Sequence, residues 1–182
     1  GAAEHFVQFY ESDDYLIGAV GDFIATALLA GDAGVVVATP SHRLALDERL
    51  RADGIDVTSA LMSGTYVPLD AAELLARFMV DGLPDADRFT ALVGTIIERA
   101  AVGGRRVAVF GEMVALLALD GNDTAVVQLE ALWNELQKTL PFTLFCAYPM
   151  ERFAGESLAE LFGDVCGAHG RVIPAESYSA LP

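Results

Sequence analysis

The chain has 182 residues, of which 53% are hydrophobic, and a formal net charge of −15 at pH 7. So acidic a chain lacks the basic patch that binding to nucleic acid or to an anionic membrane needs, which excludes direct nucleic-acid contact. No membrane span is predicted, because a span needs roughly 18 apolar residues. Even the apolar stretch 107–119 is interrupted by Gly111 and Glu112.

The length and hydrophobic content are sufficient for one buried core, and no linker separates the elements. Residues 1–182 are therefore predicted to form a single domain. Cys146 and Cys166 lack the spacing of a disulfide or metal framework and indicate buried thiols, which favours a cytoplasmic location. Gly1 and Ala2 resemble the remnant of an expression tag, so this terminus gives no information on targeting. The sequence is compatible with a fragment of a longer protein.

Short runs of β-branched and aromatic residues alternate with helical patterns along the chain. Strands are predicted over 6–10, 35–39, 66–69, 107–110, 142–148 and 172–173. Helices are predicted over 14–30, 42–52, 71–81, 85–102, 123–139 and 156–166, with Ser41 and Asp70 as N-caps. This alternation predicts an α/β fold, a three-layer sandwich in which helices cover both faces of a mainly parallel sheet.

In such a sheet, ligands bind beyond the carboxyl ends of the strands, where loops and helix N-termini converge. The segments at that edge are 11–14, 40–43, 111–114 and 149–152, with Asp70 beside them. The first lies in HFVQFYESDDYL, where a nucleotide-binding protein of this class carries a glycine-rich phosphate loop. Its carboxylates would repel a phosphate at the helix N-terminus. No nucleotide or other cofactor is therefore predicted.

Two residues of this edge are candidates for chemistry. Tyr10 ends the first strand, and Glu112 follows a very apolar strand, where partial desolvation is expected. His5 and Tyr10 bracket the first strand, so they lie at its opposite ends or point to opposite faces. An enzyme that uses Glu112 as a general base with Tyr10 or His5 stays open as a hypothesis. No nucleophile motif accompanies these residues, so no catalytic residue is assigned.

No metal site is predicted from the pattern of ligand-type residues. The three histidines, His5, His42 and His169, are scattered along the chain, and the cysteines have no metal-ligand spacing. The second half of the chain is rich in aromatic and thioether side chains, among them Met113 and Tyr148. These side chains could line an apolar pocket.

Six segments together resemble one known family: HFVQFYESDDYL, GVVVATPSHRLALDERLRADGIDV, GTYVPLDAAELLARFMVDGLPD, RVAVFGEMVALLALDGN, LEALWNEL and PFTLFCAYPMERF. The family is MEDS, the methanogen/methylotroph sensory domain, similar to the sensory part of a dichloromethane-response regulator. The resemblance runs from His5 to about Tyr178. It implies a RecA-like or circadian-clock-ATPase-like signal-input module, alone or joined to histidine kinase or DNA-binding output domains. Members are thought to sense small hydrocarbon derivatives.

The resemblance also implies a set of site residues. The positions that match the family's characteristic ones are His5, Tyr10, Pro40, His42, Gly111, Glu112, Tyr148 and Pro149. The predicted ligand-binding residues are His5, Tyr10, Glu11, Pro40, His42, Gly111, Glu112, Met113 and Tyr148. Phe110 stands where an ATPase relative has a magnesium-binding aspartate. Together with the missing phosphate loop, this predicts a relative without ATPase activity.

Two functions of different kinds are carried forward. The first is a non-enzymatic sensory domain that binds a small, largely apolar molecule and regulates a histidine kinase or a transcriptional output domain. The alternative is a protein-interaction module that docks a kinase, anti-sigma factor or regulator through its acidic surface, without a small ligand. Solid packing at Tyr10, Met113 and Tyr148, in place of a cavity, would favour the alternative. A homodimer is compatible with either function.

Overall fold

The computed structural model describes residues 3–153, 159–173 and 175. Within them, the strands are β1 (His5–Tyr10), β2 (Ala33–Ala38), β3 (Tyr66–Asp70), β4 (Met79–Val80), β5 (Leu83–Pro84), β6 (Val107–Gly111), β7 (Thr143–Pro149) and β8 (Arg171–Ile173). The helices are α1 (Asp13–Leu29), α2 (Pro40–Ala52), α3 (Val57–Ser63), α4 (Ala71–Phe78), α5 (Ala86–Ala100), α6 (Met113–Leu119), α7 (Asp123–Gln137) and α8 (Ala159–Ala168). A 3₁₀ turn, Met150–Phe153, follows β7.

Six of these strands form one parallel sheet in the order β3-β2-β6-β7-β1-β8. The strand β1 therefore lies between β7 and the late strand β8. Strands β4 and β5 form a separate antiparallel hairpin. The predicted α/β class with a mainly parallel central sheet is confirmed, because alternation of apolar strands and helices allows parallel pairing through crossover helices.

Two hydrophobic cores lie on opposite faces of the sheet. On one face, α1, α2 and α3 cover side chains such as Phe6, Val36 and Phe110. On the other face, α4 to α8 cover the alternate side chains, such as Val7 and Val35. Because successive strand residues point to opposite faces, each strand contributes to both cores. This explains why the strands read as continuous apolar runs in the sequence.

Three local predictions differ from the structure. The helix expected over 71–81 ends at Phe78, because Asp81 and Gly82 adopt positive φ angles of 51° and 80° and form the turn of a hairpin. The short helices α3 and α6 were not predicted, and α6 is almost uniformly apolar, MVALLAL, so it has no amphipathic periodicity. Ser41 is not the cap of α2, because Thr39 precedes the helix and Pro40 lies in its first turn.

Two further points bear on the predicted elements. Asp70 is the N-cap of α4 as expected, since its side chain accepts a hydrogen bond from the Glu73 amide. The predicted helix 156–166 begins outside the described residues, and its described part extends to Ala168. Among the described helices, none combines the length and the apolar character that crossing a bilayer requires.

Candidate functional site

In the part of the chain that the structure describes, the carboxyl edge of the sheet carries no phosphate loop. Strand β1 ends at Tyr10 and α1 begins at Asp13, so two residues connect them. Ser12 is the N-cap of α1, and its side chain accepts a hydrogen bond from the Tyr15 amide. The helix N-terminus is thus capped by the chain itself and has Asp13 and Asp14 in its first turn. Such a terminus disfavours a bound anion.

At this edge, His42 lies between two carboxylates. Its Nδ1 lies 2.8 and 3.0 Å from the two carboxylate oxygens of Glu112, and its Nε2 lies 3.0 Å from Oδ1 of Asp13. His42 is on α2, Glu112 directly follows β6, and Asp13 begins α1. The chains that leave the neighbouring strands β2 and β6 pass to opposite faces of the sheet, so this is a crevice of the kind where α/β proteins bind ligands. We call these three residues the edge triad.

The edge triad holds a positively charged imidazole. The hydrogen bond to Glu112 is the main cause that raises the pKa of His42 from 6.5 to about 9, against the opposing effect of burial and with a smaller contribution from Asp13. Both ring nitrogens donate to carboxylates, which is the arrangement of an imidazolium. The Glu112 side chain is 4% exposed, whereas that of Asp13 is 72% exposed. One arm of the triad is therefore buried and the other faces solvent.

An open cleft of about 350 Å³ adjoins the exposed arm. Its lining combines three carboxylates with aromatic and aliphatic surface: Tyr10, Glu11, Asp13, Leu119, Pro149, Met150 and Glu151. The Tyr10 ring lies 6.4 Å from the His42 ring. Burial raises the pKa of the Tyr10 phenol, and the charges of Glu112, Asp13 and Glu151 add to this, so the phenol stays protonated and neutral.

The predicted ligand-binding residues fall into separate groups. Tyr10 and Glu11 line the cleft, and His42 and Glu112 form the triad beside it. Pro40 begins α2 and Gly111 ends β6 at the same edge. By contrast, Met113 and Tyr148 are buried in the core on the α4 to α8 side. His5 lies at the amino end of β1. These three residues do not line the cleft.

The other end of β1 contributes to a second polar cluster, which is enclosed in the protein. One ligand-type atom from each of four residues lies within 4.8 Å of the other three: His5, Glu130, Cys146 and His169. His5 Nε2 is 3.3 Å from Cys146 Sγ and 3.2 Å from Glu130 Oε2, and His169 Nε2 is 3.2 Å from the same oxygen. All four residues are buried. We call them the buried cluster.

Burial and charge perturb the ionisation of the buried cluster. Burial opposes ionisation of Glu130, but His169 and His5 more than offset it and lower the pKa of the carboxyl to about 2. Burial, followed by the charge of Glu130, raises the pKa of the Cys146 thiol well above its ordinary value. Burial works to lower the pKa of His169, and the neighbouring Glu130 outweighs it, so that this pKa is raised. The ionised carboxylate of Glu130 thus lies between two imidazoles and a protonated thiol.

Glu130 escaped prediction from the sequence, although a signal for it exists. In α7 the buried side chains Val126, Leu129 and Trp133 follow helical spacing, and Glu130 falls on the same apolar stripe. A charged residue on the buried face of an amphipathic helix is rarely buried without a partner. The expectation of no metal site rested on spacing along the chain, and the fold removes that reason by bringing His5 and His169 to a ring separation of 4.0 Å.

Of three comparisons with known proteins, one found no match and two found matches. No curated protein sequence matches the chain. Among solved structures, a KaiC-like protein of the hyperthermophilic archaeon Pyrococcus horikoshii matches with a TM-score of 0.60 at 16% identity, over 96% of this chain and 74% of that one. This likeness concerns the fold alone and confirms the RecA-like architecture. The family described as MEDS, MEthanogen/methylotroph, DcmR Sensory domain, matches residues 4–163, and the chain therefore belongs to the MEDS family of sensory domains.

Proposed function

We propose that this sensory domain is non-enzymatic and detects a small, largely apolar molecule in the cleft beside the edge triad. The observation that carries the proposal is the contact between Asp13 and His42. Asp13 lines the open cleft and also accepts a hydrogen bond from the buried imidazolium. A molecule in the cleft can therefore reach a group that is bonded into the protein interior.

The lining of the cleft indicates the chemistry of its occupant. Tyr10, Leu119 and Met150 offer apolar surface, and the volume of about 350 Å³ lies at the lower end of the range for small-molecule sites. The carboxylates of Glu11 and Glu151 would repel phosphates and organic acids. The best match is a molecule with a short apolar body and a neutral or cationic group that donates hydrogen bonds.

The edge triad supplies a route for the signal. His42 on α2 joins Asp13 of α1 to Glu112 at the start of α6, so its contacts with the two carboxylates connect three elements. A ligand that binds Asp13 competes with His42 for that carboxylate. Because a ligand shifts an equilibrium only by its difference in affinity for two states, the arrangement with and without the Asp13 contact would be those two states. The output is proposed to be a histidine kinase or a transcriptional regulator.

Three features support a non-enzymatic role. The two-residue connection between β1 and α1 leaves no loop to surround a phosphate. Phe110 is 1% exposed in β6, where an ATPase relative would need a carboxylate for magnesium. The Glu112 side chain is 4% exposed, faces His42 with both carboxylate oxygens, and is not among the residues that line the cleft, so it is poorly placed to act as a general base toward a ligand there.

A thermal-shift survey tests the proposal. The panel contains short-chain alcohols, ketones, haloalkanes and alkylamines, with ATP and magnesium as a further member. Ligand binding to the native state raises the melting temperature, and we expect this from small apolar compounds and not from ATP. The variant Glu151→Lys should alter the shift by placing a cation in the cleft, while Glu48→Lys, at an exposed position of α2, should leave it unchanged. Stabilisation by ATP and magnesium alone would refute the proposal.

The alternative function, a protein-interaction module, also has support. The net charge of −15 suits docking to a basic partner. Met113 and Tyr148 are 1% and 0% exposed and pack in the core, whereas Tyr10 lines the cleft, so the expectation of a shared cavity is met by Tyr10 alone of these three. If no compound in the panel shifts the melting temperature, the interaction module becomes the favoured function.

A further inference from the structure

The buried cluster lies on the opposite face of the sheet from the edge triad, and the sensory proposal makes no use of it. It joins four different elements: β1, α7, β7 and the segment that follows α8. We propose that His5, Glu130, Cys146 and His169 form a four-coordinate site for one divalent transition-metal ion, with Zn²⁺ the best match. This proposal is independent of what binds in the cleft.

The hydrogen bonds of His5 direct one ring nitrogen into the cluster. Its Nδ1 lies 2.8 Å from the side-chain oxygen of Asn134. The amide nitrogen of Asn134 donates to the carbonyl of Ala168, which fixes the orientation of the Asn134 side chain. Nδ1 of His5 therefore carries the hydrogen and donates it. The remaining nitrogen, Nε2, is the coordinating atom, and it points at Cys146 and Glu130.

His169 is arranged in the same way. Its Nδ1 lies 2.5 Å from the carbonyl oxygen of Val165. A carbonyl can only accept, so Nδ1 carries the hydrogen, and Nε2 is the atom left to coordinate. An imidazole that donates its second N–H to a carbonyl or an amide oxygen is the usual outer-shell arrangement of a metal-binding histidine. Both histidines of the cluster have it.

One oxygen of the Glu130 carboxylate lacks a well-formed hydrogen bond. Its Oε1 accepts a hydrogen bond from the Tyr148 hydroxyl at 2.5 Å, which fixes the carboxylate plane. Its Oε2 lies 3.2 Å from Nε2 of both His5 and His169, yet Oε2 and Nε2 of His169 are buried without a hydrogen bond of proper geometry. Buried polar atoms are rarely left unpaired in native proteins. A cation between them would satisfy both.

The spacing and the donor types agree with zinc. For bonds of about 2.0 to 2.3 Å in a tetrahedron, neighbouring ligand atoms lie roughly 3.3 to 3.6 Å apart. Three separations in the cluster are 3.2, 3.2 and 3.3 Å, and the others are within 4.8 Å, so side-chain movements of about 1 Å would bring the four atoms to tetrahedral spacing. Two imidazoles, one thiolate and one carboxylate form a nitrogen-rich, partly soft set that suits Zn²⁺ better than Mg²⁺ or Ca²⁺. Binding of the ion displaces to solvent the thiol proton of Cys146 and any proton on the coordinating Nε2 atoms, and the thiolate and the carboxylate then neutralise the ion.

The position of the site indicates what the ion would do. His169 lies between α8 and β8, and β8 pairs only briefly with β1, through residues 171–173. An ion coordinated by His169 together with His5 and Cys146 would attach this late segment to β1 and β7 of the sheet. Since all four ligands are protein atoms in a buried place, the ion would be structural and would have no open coordination position.

Cobalt substitution tests the site. The purified protein is freed of metal with a chelator, refolded with Co²⁺ or Zn²⁺, and the bound metal is counted by mass spectrometry. We expect one equivalent of metal, a raised melting temperature, and the strong visible bands of tetrahedral cobalt with a thiolate-to-cobalt band in the near ultraviolet. Cys146→Ser should abolish the thiolate band. Cys166→Ser, which changes the other cysteine, should retain it.

Several results would overturn the proposal. Absence of stoichiometric metal, or the weak spectrum of octahedral cobalt, would show that the cluster is a structural pairing of Glu130 with protonated histidines. Loss of the thiolate band in Cys166→Ser would place the metal elsewhere. If Cys146→Ser does not fold, the spectra of the unmodified protein and of Cys166→Ser decide the question, because the thiolate band has to come from one of the two cysteines.

Discussion

Replacing His42 by glutamine should destabilise the protein strongly and remove a specific pH dependence. The shift of the His42 pKa from 6.5 to about 9 corresponds to about 3 kcal/mol of preference for the charged form in the folded state. His42→Gln also leaves Glu112, whose side chain is 4% exposed, without its cationic partner. Stranding one member of a buried pair costs about 3 to 5 kcal/mol. We expect a loss of free energy of unfolding in that range at pH 6.

The direction of the pH effect follows from the raised pKa. His42 in the unfolded chain titrates near 6.5, and in the folded protein near 9. Its contribution to stability is fully present below 6.5 and is lost as the pH rises through 9. Urea unfolding at intervals from pH 6 to pH 10 measures this loss. The double variant His42→Gln with Glu112→Gln removes both charges and should lack this part of the pH dependence.

Two controls isolate the buried arm of the triad. Asp13→Asn changes a carboxylate that is 72% exposed, so it should cost less than about 1 kcal/mol. The double variant should recover much of the stability lost in His42→Gln, because it leaves no unpaired buried charge. Equal pH dependence of the unmodified protein and the double variant between pH 6.5 and 9.5 would refute the reasoning.

Two further predictions concern the cores. Leu50→Ala, at a position that is 0% exposed, should cost about 2 to 5 kcal/mol in urea unfolding, while Leu29→Ala, at a position that is 74% exposed, should change little. Gly34→Ala would place a Cβ 3.0 Å from the buried Ile24 and should cost about 1 to 3 kcal/mol. Gly94→Ala meets its neighbours at 3.8 Å in a helix, so it should be neutral or stabilising by up to about 1 kcal/mol. A Gly34→Ala protein with the same free energy of unfolding as the unmodified protein would contradict the packing of α1 on β2.

Much of the fold could be predicted because its signals are local. The six predicted strands all occur, since a buried parallel strand requires a short run of apolar and β-branched residues. The hairpin at β4 and β5 was missed because its strands have two residues each, too few to show a pattern. Helix α6 was missed because burial on nearly all sides removes helical periodicity.

The candidate sites were less accessible to prediction. Tyr10, His42 and Glu112 could be placed at one edge, because the carboxyl ends of parallel strands meet there. That Met113 and Tyr148 lie apart from Tyr10 depends on which face of the sheet each side chain occupies, and a shift of one residue reverses the face.

The sequence by itself determined the α/β alternation and the loss of the phosphate loop, because both are written in consecutive residues. Only the tertiary structure decided which polar side chains meet. His42 contacts Glu112, 70 residues away, and His5 contacts Cys146, 141 residues away. The physical reason is strand order: β1 lies between β7 and β8, so its first residue is brought beside Cys146 on one side and the segment of His169 on the other. The spacing of these residues along the chain does not indicate that they are neighbours in the fold.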